Sequence, residues 1–392
     1  MMRPCCVCGG LEGTQLFEED WSVVGIGSTR IGIRVCSHCG FVLQDPVIQP
    51  DLLERYYTQT SNYTNPGRSG HPSKRKISAV DRQLHMLHGF TPEKGSAMQI
   101  GCSDGYTLHR LKQSGWNVQG VDPSPEASRL AAEMWNVDVE IGFFEKWAGV
   151  VDERFDLIVL THVLEHLYDP VEVLGKSREL LRDTGQILIE VPILEEPDLW
   201  PPGYFTLEHL NYFSVDTLLL SLSRAGFGVG PPDPLIETNS VEYPILTCLA
   251  HPVSERVEDK DTQNRRAGEA FTRVSAYYER ERTLWSQLDS MLKETTAPLD
   301  RTVIWGAGIH TSQLLARTHL AEHTEIDCLV DSDKSKWGLR LGPYRIKNPD
   351  EIDYQDSGLG IVVSSFDSEL EILRSLRDRS PAALIIPLYQ SI

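Results

Sequence analysis

Short apolar runs alternate with stretches of helical spacing through most of the chain, and glycine or proline marks the joints between them. Ala97, Met98 and Ile100 make one such run. It enters the turn Gly101-Cys102-Ser103-Asp104-Gly105, after which Leu108 and Leu111 fall at helical spacing before a stop at Gly115. Val118 to Val121 form a second run that ends on Asp122. The pattern predicts strand, turn, helix, strand. It continues as a helix over Ala127 to Met134, a strand over Val137 to Ile141 and a buried strand over Phe155 to Leu160. THVLEHLYDP reads as a helical stretch closed by Pro170, a further helix runs through Leu181 with Gly185 as its stop, and QILIEVP forms a strand ending at Pro192. Repeated strand-helix order is what a parallel sheet needs.

The flanks have other patterns. Ile31, Ile33 and Val35 alternate as in a strand, whereas Pro50 to Lys76, with NPGRSGHPSKRK inside it, reads as a loop or linker. Ser254 to Thr296 is charge-rich and nearly free of glycine and proline. It places Phe271, Val274, Tyr278, Trp285, Leu288 and Leu292 on one helical face that only Glu281 interrupts, which predicts a long helix bridging two lobes, with a dimer seam as second choice. From Arg301 a second strand-turn-helix-strand unit begins: TVIWGAGIHTSQLLA, then IDCLVDSD ending on Asp331 and Asp333, with further strands at LGIVVSS and ALIIPL. The expected domains are 1–76, a cysteine-bearing ribbon with a tyrosine-bearing linker; 77–250, an α/β domain with a parallel-dominated sheet; 251–297, a helical connector; and 298–392, a second Rossmann-like α/β domain.

A chain of 392 residues exceeds one ordinary core. Its formal net charge of -19, with no long basic block, argues against nucleic acid as a partner and favours a small-molecule substrate. No apolar run is long enough to cross a bilayer, and MMRPCCVCGG lacks the core of a signal peptide, so no membrane association and a cytoplasmic location are expected. The protein is expected to be a monomer or homodimer.

Two knuckles carry the first candidate chemistry. Cys5-x-x-Cys8 and Cys36-x-x-Cys39 each offer two thiolates on one turn and each is followed by glycine, a donor set suited to tetrahedral zinc. A closed four-cysteine site leaves no position for water, so the zinc is expected to be structural. Cys6 breaks the spacing, and His38 reads as solvent-facing or as a neighbour of the ligands. A redox role for one pair is the alternative.

The second candidate is the glycine turn. A turn after a strand lets a ligand approach the backbone, and an acid about twenty residues on can hold ribose hydroxyls. The Gly-x-x-x-Gly spacing departs from a dinucleotide fingerprint and tilts the ligand away from NAD. At these residues the sequence resembles the class I S-adenosylmethionine-dependent methyltransferases. The resemblance implies a cofactor site at Gln99, Gly101, Cys102, Ser103 and Gly105, with Asp122 on the ribose, Phe144 and Glu145 beside the adenine, and Thr161 and His162 along the methionine part. Gln99 stands where that family usually has an acid. Phe144 also suits a core aromatic, and His166 a satisfied helix histidine.

Glu208-His209 lies among aromatics in GYFTLEHLNYFS, where a carboxylate next to an imidazole can orient it and raise its basicity. The knuckles, the tyrosines Tyr56, Tyr57 and Tyr63, the glycine turn and Glu208-His209 together resemble the deoxysugar C-methyltransferases that act on nucleotide-linked keto sugars. That family usually has tyrosine at the place Thr206 occupies. The resemblance implies His209 as the base, Glu208 orienting it and Tyr63 near the enolate oxygen; on the residues alone, the tyrosines equally suit packing on the adjacent domain. It also covers the carboxyl-terminal unit, which would bind a nucleotide diphosphate or only pack on the first domain. Its usual lysine after the glycine turn is missing, and His310 stands nearby. Other readings are an O- or N-methyltransferase of another small metabolite, an NAD-dependent sugar-modifying oxidoreductase or epimerase using Gly306-Ala307-Gly308, and a non-catalytic zinc-ribbon protein.

Overall fold

A computed structural model describes residues 3–60, 72–88, 95–147, 154–238, 243–254, 263–379 and 381–389. Five strands run parallel at the centre in the order Val139–Ile141, Asn117–Asp122, Ser96–Ile100, Phe155–Thr161 and Leu181–Pro192. Pro244–Pro252 continues this sheet antiparallel beside Leu181–Pro192, and Phe227–Val229 and Leu235–Thr238 pair with it. Ser96–Ile100 is flanked by the next strand in sequence on one side and by Phe155–Thr161 on the other. The strand order reverses there, so the connections leave to opposite faces and a crevice opens at the carboxyl ends.

A four-stranded antiparallel sheet precedes it: Gly13–Val23, Gly27–Cys36, Val42–Gln44 and Asn211–Tyr212. Its fourth strand comes from inside the stretch expected to form the central domain, so ribbon and central sheet are joined by backbone hydrogen bonds. The third sheet orders Arg340–Leu341, Tyr344–Lys347, Ile326–Val330, Arg301–Trp305, Leu359–Val363 and Leu384–Pro387, and all but the first are parallel. Its order also reverses, between Arg301–Trp305 and Leu359–Val363. Among the described residues no helix is long and apolar enough to cross a membrane.

Several expected elements are corrected. Pro50 opens a helix, Pro50–Arg55, that runs on into a wider turn, Tyr56–Thr60, and Ser73 caps another helix, Lys74–Leu87; residues 61–71 lie outside the description. THVLEH forms a single turn, Leu164–His166, and Pro170 begins the helix Pro170–Leu180 where it was expected to end one. Proline lacks the N–H that a first-turn residue does not need, and Asp169 caps the start by accepting from Glu172 N at 2.9 Å. Gly185 lies within the strand Leu181–Pro192, because the preceding helix has already stopped at Leu180.

The long helix is Gln263–Thr296. Its inward stripe is Ala267, Ala270, Val274, Tyr277, Glu281, Trp285, Leu288 and Leu292, all buried, whereas Phe271 is exposed and Tyr278 half-buried. The amino-terminal half packs with Phe17, Ile33 and Phe205, and the carboxyl-terminal half with Leu314, Leu329 and Val362 of the third sheet's core. Glu281 is therefore an anchor in the stripe. It accepts from Gly203 N at 3.0 Å and Trp285 Nε1 at 3.1 Å, and pairs with Arg317 at 3.1 Å. Arg317 also meets Glu19 at 3.0 Å and stands over the rings of Phe17, Trp21 and Trp285. One guanidinium thus ties the ribbon, the long helix and the third sheet together.

Removing one member of a buried ion pair strands its partner's charge, at a cost of about 3–5 kcal/mol. Arg317→Met is expected to lower unfolding stability by that order in urea titration, with Glu281→Gln added to the same chain recovering part of it. A loss below about 1 kcal/mol would show that the clamp contributes little.

Candidate active site

At the first strand-order reversal, Ser96–Ile100 is followed by Gly101, which has a φ of +67° and no room for a side chain, since a Cβ there would lie 2.6 Å from Val163 Cγ2. The turn is held by Asp122 at the end of the neighbouring strand. Asp122 Oδ2 accepts from Ser103 N at 2.8 Å and Oδ1 from Ser124 N at 2.9 Å. Burial pushes this carboxyl up, and the two backbone donors oppose the shift. Lys76 donates to Asp104 beside it. Ser103 and His162, on the two rims of the crevice, both have positive φ, at 50° and 54°. Such conformations are costly for side-chain-bearing residues and concentrate at functional sites.

The crevice is a cavity of about 610 Å³. Gln99, Gly101, Cys102, Ser103, Asp122, Phe144, Glu145, Thr161 and His162 all line it. Gly105 does not. Its φ of +77° opens the helix Tyr106–Gln113, and a side chain there would strike Ala131 Cβ at 2.7 Å, so it serves packing. Phe144 lines the cavity while stacking on Trp147 at 5.7 Å, so both sequence readings of it meet in one ring. Cys102 is buried and its thiol is pushed up, which removes it as a nucleophile. Gln99 Oε1 is buried with no hydrogen-bond partner among the described residues. An orphaned acceptor at the cavity wall fits a ligand that donates to it.

At the methionine end of the expected cofactor site, two buried carboxylates flank an imidazole. His162 Nδ1 lies 3.3 Å from Glu165 Oε1 and Nε2 lies 3.4 Å from Glu190 Oε1. Burial alone would lower His162, but the two carboxylates outweigh it and hold it well above the ordinary range. Glu190, although burial opposes its ionisation, is held down to about 2 by His162 and Arg82. His166 Nδ1 is 2.8 Å from the Tyr57 hydroxyl and 3.0 Å from the Glu208 carbonyl oxygen.

His209 stands 4.9 Å from His166, ring to ring, and burial pushes its imidazole down to about 3. The expected pairing with its neighbour is corrected: the Glu208 carboxylate accepts from the Tyr56 hydroxyl, and no hydrogen bond joins it to the His209 ring. The two side chains leave a bend in the chain and find different partners, which sequence proximity hides. Thr206 Oγ1 accepts from His209 N at 3.3 Å. Tyr63 lies outside the described residues. Glu165 and Glu190 were not singled out from sequence, and Tyr57 was named only as one of three tyrosines of the linker. The available signal for Glu165 was its His-x-x-Glu-His spacing directly after a strand.

A second cavity, of about 810 Å³, lies between the central and third sheets. Tyr56, Thr206, Glu208, His209 and Tyr243 line it from one side, and Gly306, Ala307, Gly308, Asp331, Lys336 and Ser364 from the other. His166 faces the first cavity and His209 the second, so the two cavities adjoin across this histidine pair. Asp331 accepts from Ala307 N and from Lys336 Nζ, both at 3.0 Å. His310 is bonded to Ser364 Oγ at 2.9 Å and to the Tyr389 hydroxyl at 2.5 Å, which makes it a satisfied internal group. Outside the lining of both cavities, the sulfurs of Cys5, Cys8, Cys36 and Cys39 all lie within 4.8 Å of one another, with Cys5 and Cys39 at 3.6 Å and Cys8 and Cys36 at 3.5 Å. Cys6 instead lies 3.6 Å from Asn211 Oδ1, and His38 is exposed.

The profile of the methyltransferase-domain family matches residues 73–229, the stretch that builds the first cavity. Residues 73–229 form a methyltransferase domain, and the chain is an S-adenosylmethionine-dependent methyltransferase. Among known proteins it is similar along most of its length to the C-methyltransferase NovU of Streptomyces niveus, at 24% identity over 385 residues that cover 88% of this chain and 86% of that protein. A ubiquinone biosynthesis O-methyltransferase of Histophilus somni is 23% identical over 151 residues, covering 35% of this chain and 61% of that protein. Among solved structures, the 1,6-didemethyltoxoflavin N1-methyltransferase of Burkholderia thailandensis aligns with a TM-score of 0.43 at 18% identity, over 57% of this chain and 96% of that one.

Asp122→Ala removes the acceptor of two turn N–H groups and of any ribose hydroxyl. Affinity for S-adenosylhomocysteine is expected to fall at least about tenfold by calorimetry, a change of about 1.4 kcal/mol. Unchanged binding would place the nucleoside elsewhere.

Proposed function

We propose that this methyltransferase acts on a small polar acceptor in the second cavity, and that the acceptor is a nucleotide-linked keto sugar methylated on carbon. The observation that carries the reading is the adjoining of the two cavities at His166 and His209, which puts an acceptor and a methyl donor on opposite sides of one pair of rings. The likeness to NovU along most of the chain, third sheet included, supports it.

S-adenosylmethionine, when bound, supplies an electrophilic methyl group. Asp122 would accept from its ribose hydroxyls, Gln99 Oε1 would take a donor at the methionine end, and Phe144 with Glu145 would border the base. The acceptor's task is to lose a proton. Glu208 and His209 face it, with Tyr56 holding the Glu208 carboxylate in place. Because nothing pairs His209 with Glu208, the carboxylate contributes directly to proton removal. Buried Tyr204 and half-buried Tyr243 line the same cavity and limit the access of competing water to the donor.

The four-cysteine cluster is proposed to hold one structural zinc. Sulfur spacings of 3.5 and 3.6 Å match the edges of a tetrahedron with zinc–sulfur bonds of about 2.3 Å and are far too long for a disulfide. Arg34, buried against Asp45 at 2.7 Å, and the strand register carry the cluster's position into the ribbon. Cys36→Ser is expected to lower zinc content by one ion per chain by mass spectrometry and to cut thermal stability sharply. Unaltered zinc content would remove the assignment.

For the reaction, a panel of nucleotide sugars offered with a labelled methyl donor is expected to yield a product carrying one extra methyl on a carbon beside a ketone. Glu208→Gln should slow its formation by about 100-fold or more while leaving S-adenosylhomocysteine binding intact. Methylated oxygen or nitrogen on another metabolite, with nucleotide sugars inert, would replace the acceptor assignment and leave the cofactor untouched.

A further inference from the structure

Glu165 is 2% exposed, yet neither of its carboxylate oxygens accepts a hydrogen bond among the described residues. Its nearest cationic group, His162 Nδ1, is 3.3 Å from Oε1, and His166 Nε2 is 3.9 Å away. A buried carboxylate so loosely met is costly unless something else compensates it.

The tautomer of His166 sharpens the point. Its Nδ1 lies 2.8 Å from the Tyr57 hydroxyl, which can donate or accept, and 3.0 Å from the Glu208 carbonyl oxygen, which can only accept; a hydrogen on Nδ1 serves both and leaves the lone pair of the neutral ring on Nε2. That lone pair is on the side of the Glu165 carboxylate. His209, whose buried Nδ1 has no hydrogen-bond partner among the described residues, belongs to the same cluster, and one ligand atom from each of Glu165, His166 and His209 lies within 4.8 Å of the others. Three such atoms always leave a point within about 2.8 Å of all of them, against bonds of about 2.0–2.2 Å to a first-row metal, so a small inward turn of the side chains closes the site. A metal-bound imidazole characteristically gives its other N–H to a carbonyl or carboxylate, as His166 does.

We propose that Glu165, His166 and His209 hold a divalent transition-metal ion at the wall between the two cavities. The inference rests on the methyl-transfer reading above and deepens it. The ion would polarise an oxygen of the acceptor. With a ketone there, the adjacent C–H gives its proton to Glu208, its electron pair forms the new bond to the methyl carbon, and the pair of the broken carbon–sulfur bond stays on sulfur. His209 is then a ligand, and Glu208 alone takes the proton. Two imidazoles and one carboxylate suit zinc, cobalt, iron or manganese.

Manganese is the probe of choice, because thiolates of the cysteine cluster bind it poorly. The second cluster, of Asp289, His319 and His323, is removed as a competitor by working in His319→Ala/His323→Ala full-length protein. Titration followed by electron paramagnetic resonance is expected to show one bound Mn2+ per chain, lost in Glu165→Gln and in His209→Ala. In the unaltered cluster, the ion should also broaden the proton resonances of bound S-adenosylhomocysteine, a readout that needs no variant to fold. Free manganese throughout, equal binding by Glu165→Gln, or unbroadened resonances would overturn the proposal. Calorimetric binding of S-adenosylhomocysteine without metal keeps the two readings apart: if it binds and the ion does not, only the ion is wrong.

Discussion

The reaction geometry depends on a fixed contact between two lobes, and one buried cation supplies much of it. Arg317 belongs to the helix after the second glycine turn, but its charge is met by Glu19 of the ribbon and Glu281 of the long helix. The same Glu281 receives Gly203 N, at the start of the segment that carries Thr206, Glu208 and His209. Gln313, on the same helix as Arg317, donates to the carbonyl oxygens of Gly203 and Phe205. The segment presenting the acceptor-side groups is therefore positioned from the third sheet as much as from the central one. A chain in which the lobes moved freely would not keep His209 facing one cavity and His166 the other.

Charge burial is the second organising constraint. Glu165 and Glu190 are cut off from bulk water, and the partly exposed His162 between them helps make both charges tolerable. Glu190 collects Arg82 at 2.6 Å, Gln83 at 3.0 Å and Thr247 at 2.7 Å as well as His162, so its needs are met several times over. Glu165 has no such circle. The contrast between two carboxylates on either side of one imidazole is what marks the Glu165 side as the place where something further binds.

Much of this was legible in the sequence where the physics is local. The Ser96–Ile100 strand, the Gly101 turn and Asp122 follow from apolar runs, a backbone position closed to side chains and the spacing of an acid, and all three stand where expected. The cysteine knuckles were equally readable, because metal-ligand spacing is written along the chain. What failed depended on distant partners. Pro170 stops a helix or starts one according to where the chain goes next, and Glu281 breaks an apolar stripe until Arg317, from another lobe, arrives beside it. Glu208 and His209 are neighbours in sequence whose side chains find different partners. Tyr57 and Glu165 gain their meaning only when a helix before the central domain and a turn within it meet.

The two glycine turns close on an instructive difference. Asp122 and Asp331 occupy equivalent places at the ends of second strands, and each accepts from the turn it faces. Asp122 spends its oxygens on neutral N–H groups. Asp331 shares one of its own with the ammonium of Lys336. Lys336 and the amino end of the helix Ile309–Arg317 thus present positive potential to the second cavity. Asp333, Asp367, Glu371 and Glu208 line the same cavity, however, and their charge opposes a diphosphate. One lysine and one helix end do not balance that many carboxylates. A diphosphate-bearing acceptor therefore needs a counter-ion that it carries in with it, and the acidic lining, unfavourable to a bare nucleotide, becomes an attraction for its metal complex.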